Sequence, residues 1–258
     1  MADGFDPLAE FERTAAELAA ILEIVAPAAA VPSCPGWTVA DLAEHVGAGQ
    51  RWAASILLSS QPQKVPAVLR TAISWSDWYA GTTAALVAAI KAVDPAEHCW
   101  NFSPGQQFAG FWTRRRLHET AVHLVDALQA AADPAADTDS IETGRPLGQV
   151  IPPAVAADGV DEVFEVFLPR MLARGFPPVV TRQVGVRAVD TGHEWTLTPA
   201  GQGEPSTVDR SGATGDVIVS GTALELYLAM WRRLPAGSLR LEGDTLAAAG
   251  LVDGRVTP

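Results

Sequence analysis

Four segments with apolar residues at helical spacing occupy the first half of the chain and most constrain its fold. The spacing predicts helices over residues 5–26, 39–58, 74–93 and 113–132. Pro27 ends the first helix, and Thr38, with Asp41 three residues later, provides a capping box that begins the second. Because the loops between these segments are of modest length, we expect the helices to pack as a four-helix bundle.

The pattern changes after residue 135, where Pro, Gly and Asp become frequent and predict a linker over residues 136–158. An amphipathic helix follows, and alternation of apolar and polar residues then indicates half-buried strands with helices near the end. The predicted strands cover residues 179–189, 194–199, 216–220 and 239–241. The expected class is therefore α and α+β: a bundle over 1–135, followed by a smaller α+β domain over 159–258 with an antiparallel sheet.

Composition excludes several classes of function. The formal net charge of −12 over 258 residues disfavours binding to a nucleic-acid backbone. No apolar run reaches the ~20 residues that span a bilayer, and the N-terminus does not resemble a secretory signal. Two cysteines do not make a disulfide framework, so we expect a reduced, cytoplasmic setting. The expected oligomeric state is a monomer or a homodimer.

The fourth predicted helix carries the residues with the clearest chemistry. Glu119 and His123 are four residues apart and therefore share one helix face, and Asp126 follows three residues later. A catalytic zinc site uses three protein ligands, and His45 in the second helix is the best candidate for the third. His118 lies about 140° around the helix from His123, which removes it from that face.

The same residues also fit interpretations without a metal. His45 fits a core histidine bonded to the backbone, and Glu119 fits a surface pair with Arg115 or Arg116. The three polar groups together fit a buried hydrogen-bonded network. Cys34, in P-S-C-P-G-W, has no base nearby in sequence, which favours an inert thiol over a nucleophile.

Two segments resemble a known family. P-G-W-T-V-A-D-L-A-E-H-V, ending just after His45, and R-R-R-L-H-E-T-A-V-H-L-V-D-A, containing Glu119 and His123, resemble the mycothiol-dependent maleylpyruvate isomerase family. That family has a DinB-like N-terminal four-helix domain. The resemblance implies that His45, Glu119 and His123 are metal ligands and that Asp126 is a carboxylate that orients one of them.

The resemblance also implies a chemistry. The expected cofactors are a divalent metal, with Zn²⁺ the first choice, and mycothiol or a similar low-molecular-weight thiol that the metal activates. The expected reaction is isomerisation of, or S-transfer to, a small electrophile such as maleylpyruvate. The family's L-W-x-x-G-R appears here as M-W-R-R, so Arg233, ahead of Arg232, is the expected catalytic, anion-binding arginine. The alternative is a DinB-like protein that binds a divalent metal or a small ligand without turnover.

Overall fold

The structure is a computed structural model that describes residues 4–64, 73–105, 107–132, 147–177, 179–201, 204–254 and 256–258. Contacts along the chain divide it into two compact units. One consists of Asp6–Phe102 and Gln106–Val150, and the other is formed mainly by Ile151–Pro258. The four predicted bundle helices therefore fall in the first unit, and all the predicted strands fall in the second.

Four long helices form the first unit: α1 is Pro7–Ile24, α2 Val39–Ser59, α3 Trp75–Lys91 and α4 Gly110–Ala131, and a short α5 spans Leu147–Val150. Both α1 and α2 pack against α3 and α4, so α1 and α2 lie diagonally across the bundle. The bundle core is built from large, fully buried side chains: Phe11, Leu18, Leu42, Ile56, Tyr79, Leu86, Leu117 and Leu124.

The helix ends follow the local sequence. The Thr38 side chain accepts a hydrogen bond from the backbone of Asp41, and the Asp41 side chain accepts one from the backbone of Thr38. This reciprocal capping box satisfies donors that the first helical turn leaves without a partner, and it fixes the start of α2. The side chains of Asp6 and Ser74 accept hydrogen bonds from backbone N–H groups in the first turns of α1 and α3.

The second unit begins with a long helical segment. Helix α6 spans Pro153–Glu162, a π-helical turn spans Val163–Phe167, and α7 continues over Leu168–Ala173. The amphipathic pattern predicted this helix, although it begins at Pro153, within the range assigned to the linker. Residues 136–146 of that range lie outside the described residues, so the domain limits stay a prediction.

The sheet of the second unit has five described strands in the order β3-β2-β1-β4-β5. The strands are β1 Val184–Ala188, β2 Glu194–Thr198, β3 Thr207–Asp209, β4 Val217–Gly221 and β5 Arg240–Gly243. Helix α8, Ala223–Met230, follows β4, and α9, Thr245–Asp253, follows β5. The fold class, α and α+β, is confirmed.

The sheet differs from the prediction in strand direction. Strand β1 pairs antiparallel with β2 but parallel with β4, with Val186 opposite Trp195 on one side and Val219 on the other. The sheet is therefore mixed rather than antiparallel throughout. Alternation along a strand reports which face is buried and not the direction of the neighbouring strand, so the sequence pattern had no signal for the parallel pair.

The core of the second unit lies between the sheet and its helices. Trp195 of β2 is buried, packs edge-on against Phe164, and donates a hydrogen bond from Nε1 to Asp161 at 2.8 Å. This contact connects β2 to the helical segment at the start of the unit. Among the described residues, no helix is both long and apolar enough to cross a bilayer.

Candidate metal site in the helical bundle

Helix α4 supplies most of the polar groups of the site. Arg115, Glu119 and His123 follow one another at four-residue intervals, so their side chains lie along one face of the helix. This face is turned toward the interior: the side chain of Arg115 is 3% exposed, that of Glu119 20% and that of His123 10%. A row of ionisable groups with so little exposure must be internally paired, because an unpaired buried charge is costly.

Helix α2, which packs against α4, contributes His45, and this side chain faces the row. Its Nε2 lies 3.1 Å from Oε1 of Glu119, and the same oxygen lies 3.6 Å from Nε2 of His123. One ligand atom from each of the three residues lies within 4.8 Å of the other two. The structure therefore brings together the three residues that the sequence nominated, from helices that are 74 residues apart in the chain at this contact.

These separations fit a tetrahedral ion. Zinc-to-nitrogen and zinc-to-oxygen bonds of about 2.0–2.1 Å place neighbouring ligand atoms about 3.3 Å apart. The two distances to Oε1 of Glu119, 3.1 and 3.6 Å, bracket that value. Two imidazole nitrogens and one carboxylate oxygen are also a donor set that zinc accepts, so the residues present suit the metal that the resemblance implies.

The two oxygens of Glu119 have different partners. Arg115 donates a hydrogen bond to Oε2 at 2.6 Å, so Oε1 is the oxygen that faces the two histidines. Burial is the largest influence on this carboxyl group and favours its protonated form. The charge of Arg115 and hydrogen bonds from His123 and His45 outweigh it, so the pKa of Glu119 lies well below the usual range. Glu119 is therefore ionised.

Asp126 holds the far side of the His123 ring. This carboxylate is fully buried, and its Oδ2 lies 2.9 Å from Nδ1 of His123. A proton on Nδ1 is donated to Asp126 and leaves the Nε2 lone pair facing the Glu119 and His45 cluster. Burial lowers the pKa of His123, but hydrogen bonds and charge from Asp126 and Glu119 outweigh it and raise that pKa.

The loop before α2 in turn holds Asp126. The Ser33 hydroxyl donates to Oδ1 of Asp126 at 2.5 Å, and the Cys34 thiol donates to Oδ2 at 3.5 Å. Cys34, His123 and Asp126 also form a second group of close ligand atoms. Cys34 therefore contributes a hydrogen bond to the carboxylate that holds His123.

Trp37, from the same loop, covers the histidines. Its ring centre lies 4.9 Å from that of His45 and 6.3 Å from that of His123, almost parallel to the latter. The side chain of His45 is 46% exposed, so the cluster is accessible from the side on which Trp37 and α2 meet. Approach to the site is therefore flanked by an aromatic ring.

The excluded histidine and the two candidate arginines can now be placed. His118 is fully buried and does not belong to either group of close ligand atoms. Arg233 belongs to the second unit, where its guanidinium donates to the backbone oxygen of Trp231 at 2.7 Å. Arg232 has a positive φ of 60° and donates to the backbone oxygen of Pro258 at 2.6 Å. The catalytic role assigned to Arg233 stays a prediction.

The sequence interpretation did not place four residues in the site. Ser33, Cys34 and Trp37 lie in a loop, where no periodicity reports which way a side chain points. Arg115 was considered as a surface partner of Glu119, but it is buried. Its four-residue spacing from Glu119 was a usable signal, since it places both side chains on the same helix face.

Two domain models of one protein family match most of the chain, including the site. The model for the mycothiol maleylpyruvate isomerase N-terminal domain matches residues 8–128, and the model for the MDMPI C-terminal domain matches residues 154–250. The chain belongs to the mycothiol-dependent maleylpyruvate isomerase family. The first match contains every residue of the cluster described above, and the second contains Arg233.

Solved structures of the family agree with this fold. The chain is similar to the crystal structure of a mycothiol-dependent maleylpyruvate isomerase, with a TM-score of 0.60 and 12% identity over 92% of this chain and 91% of that one. A histidine-to-alanine mutant of a mycothiol-dependent maleylpyruvate isomerase matches with a TM-score of 0.59 at the same identity and coverage. No curated protein sequence matches the chain.

Proposed function

We propose that this chain is a metal-dependent enzyme that activates a low-molecular-weight thiol, mycothiol or a close analogue, for reaction with a small electrophile. His45, Glu119 and His123 are the proposed ligands, and Zn²⁺ is the proposed metal. The observation that carries the proposal is the convergence of their three ligand atoms within 4.8 Å at an accessible point of the bundle. Membership of the isomerase family supports the reaction class.

The chain's own residues prepare this site for a cation. Glu119 is ionised, and Arg115 occupies Oε2, so only Oε1 is presented to a metal. Asp126 holds the proton of His123 on Nδ1, which leaves Nε2 as the donor atom. Three protein ligands leave one tetrahedral position open, as catalytic zinc sites require.

The chemistry follows from that open position. A bound divalent ion lowers the pKa of a coordinated thiol, which makes it nucleophilic at neutral pH. The partial exposure of His45 gives a thiol a route to the open position. Addition to a cis double bond, rotation and loss of the thiol would give isomerisation, whereas retention of the thiol on the electrophile would be S-transfer. The two similar solved structures, of mycothiol-dependent maleylpyruvate isomerase and of a point mutant, favour the first.

Arg233 is the proposed anion-binding residue for a carboxylate of the substrate. Its position in the M-W-R-R segment of the family's C-terminal domain supports this role. The family motif alone ranks Arg233 ahead of Arg232, since both guanidinium groups already donate to backbone oxygens. Small molecules are accordingly the proposed partners, with a cytoplasmic location and a monomer or homodimer as the expected setting.

A second candidate is a DinB-like protein that binds a metal or a small ligand without turnover. One observation favours a further, purely structural role, in which the same residues form a hydrogen-bonded network and bind no metal. Glu119 accepts from Arg115 and lies within hydrogen-bond distance of His45, while His123 is bonded to Asp126, so each polar group has a protein partner. A satisfied network of this kind is stable without an ion.

Metal analysis and a reactivity assay separate these candidates. We expect the purified protein to bind about one equivalent of Zn²⁺ and His45→Ala to lose it, whereas His98→Ala, at an exposed histidine, retains it. With zinc bound, mycothiol should be consumed by an S-transfer electrophile or should catalyse conversion of maleylpyruvate. Zinc binding without either reaction would favour the non-catalytic candidate, and no zinc binding would favour the structural network.

A further inference from the structure

An open groove adjoins the proposed metal site. It has a volume of about 440 Å³ and is lined by Gly36, Trp37, Asp41, Glu44 and His45. His45, a proposed ligand, therefore forms the boundary between the metal cluster and the groove. A molecule that reaches the open metal position from this side has to lie along the groove.

The helix geometry of α2 determines which groups face the groove. Asp41, Glu44 and His45 are separated by three and four residues, so they share one face of the helix. Both carboxylates are exposed. Thr38 donates both of its hydrogen bonds to Oδ2 of Asp41, which leaves Oδ1 able to accept another.

The remaining wall of the groove is the ring of Trp37. This side chain is half-buried against His45, and it brings a flat apolar face next to two carboxylates. Hydroxyl groups donate to carboxylates, and the C–H face of a sugar or cyclitol packs on an indole ring. An anionic group, in contrast, meets acceptors that carry its own charge.

We propose that this groove binds the uncharged polyol carrier of the thiol, such as the sugar–inositol part of mycothiol, and disfavours thiols with anionic carriers. The inference rests on the proposed function, because the thiol end of the molecule occupies the open metal position. The carboxylates of Asp41 and Glu44 accept hydrogen bonds from the polyol hydroxyls. Glutathione, which carries carboxylates, is repelled by the same groups and by the net charge of −12.

Glu44 gives the sharpest test, since it is exposed and does not cap α2 or belong to the proposed ligand set. Binding of three thiols to the zinc-loaded full chain would be measured by calorimetry for the unaltered protein and for Glu44→Gln. The thiols are mycothiol, N-acetylcysteine amide, which has neither polyol nor charge, and glutathione. Glu23→Gln, at an exposed glutamate of α1, is the matched control.

The expected changes have opposite signs for the two large thiols. Glu44→Gln should weaken mycothiol binding by about tenfold, because a charged acceptor is replaced by a neutral one. It should strengthen glutathione binding a few-fold by removing a like charge. N-acetylcysteine amide should stay within about twofold, and Glu23→Gln should change none of the three.

The outcomes separate this inference from the function on which it rests. If N-acetylcysteine amide binds in a zinc-dependent way but Glu44→Gln leaves mycothiol and glutathione affinities unchanged, the groove assignment is wrong and the proposed function stands. If no thiol binds the zinc-loaded protein, both are wrong. Equal zinc content in all variants, measured on the same samples, excludes an indirect effect through the metal.

Discussion

Asp126 offers the most direct test of how the bundle prepares a metal ligand. Its carboxylate is fully buried, accepts the Nδ1 proton of His123 at 2.9 Å, and accepts the Ser33 hydroxyl at 2.5 Å. In Asp126→Asn the amide oxygen can still accept from His123, and the amide nitrogen can donate to the Ser33 oxygen. The substitution therefore preserves the size of the side chain and these two hydrogen bonds while it removes the charge.

The expected loss of zinc affinity follows from that change. Removing the carboxylate partner of a ligating histidine weakens metal binding by about 10- to 100-fold. This corresponds to about 1.4–2.8 kcal/mol. Ser33→Ala leaves the charge and the His123 contact in place, so it should lower the affinity by a smaller factor than Asp126→Asn.

Competition with a chromophoric chelator at pH 7.5 measures these affinities. Asp77→Asn, at an exposed aspartate in the first turn of α3, is the matched control and should bind zinc like the unaltered protein. Circular dichroism would verify that each variant is folded. A zinc affinity of Asp126→Asn within twofold of the unaltered protein would refute the argument that the charge of Asp126 strengthens His123 as a metal ligand.

Three further predictions concern the bundle as a whole. Zinc at 100 times its dissociation constant should stabilise the folded chain by about 2.7 kcal/mol; scanning calorimetry should show a higher Tm that chelator reverses and that His45→Ala abolishes. Burial, only partly offset by neighbouring hydrogen bonds and by an arginine charge, raises the pKa of Tyr79 to about 12. The free energy of unfolding should therefore be unaffected by this group below pH 10 and should fall by about 3 kcal/mol between pH 10 and 12, a fall that denaturant titrations of Tyr79→Phe should lack. A Cβ at Gly47 would collide with the ring of Trp78, whereas one at Gly81 would meet nothing within 4 Å. Gly47→Ala should therefore destabilise the bundle by about 1–3 kcal/mol, and Gly81→Ala should stabilise it by about 0.5–1 kcal/mol. Thermal melts in which Gly47→Ala is the more stable variant would contradict this packing.

Local sequence signals located the secondary structure of the bundle closely. Apolar spacing gave the four helices to within a few residues, and Thr38 with Asp41 marked the start of α2. In the second unit, alternation identified the strands except β3, which has three residues and too little length for a pattern. The π-helical turn at Val163–Phe167 left no signal, because its apolar residues fit an ordinary helix equally well.

The features of the site also divide into those that the sequence determined and those that depend on packing. The sequence by itself determined that Glu119, His123 and Asp126 share a region of one helix, because 3.6 residues per turn fix their relative directions. The sequence also nominated His45, but whether that side chain meets Glu119 depends on how α2 and α4 pack against each other.

Only the tertiary structure decided the remaining features. It buried Arg115 beside Glu119, and it brought Ser33 and Cys34 to Asp126 from more than 90 residues away in the chain. It also paired β1 with β4 in parallel. The physical reason is common to all three: periodicity encodes which face of an element is buried, whereas the choice of partner depends on how all the elements fill the core together.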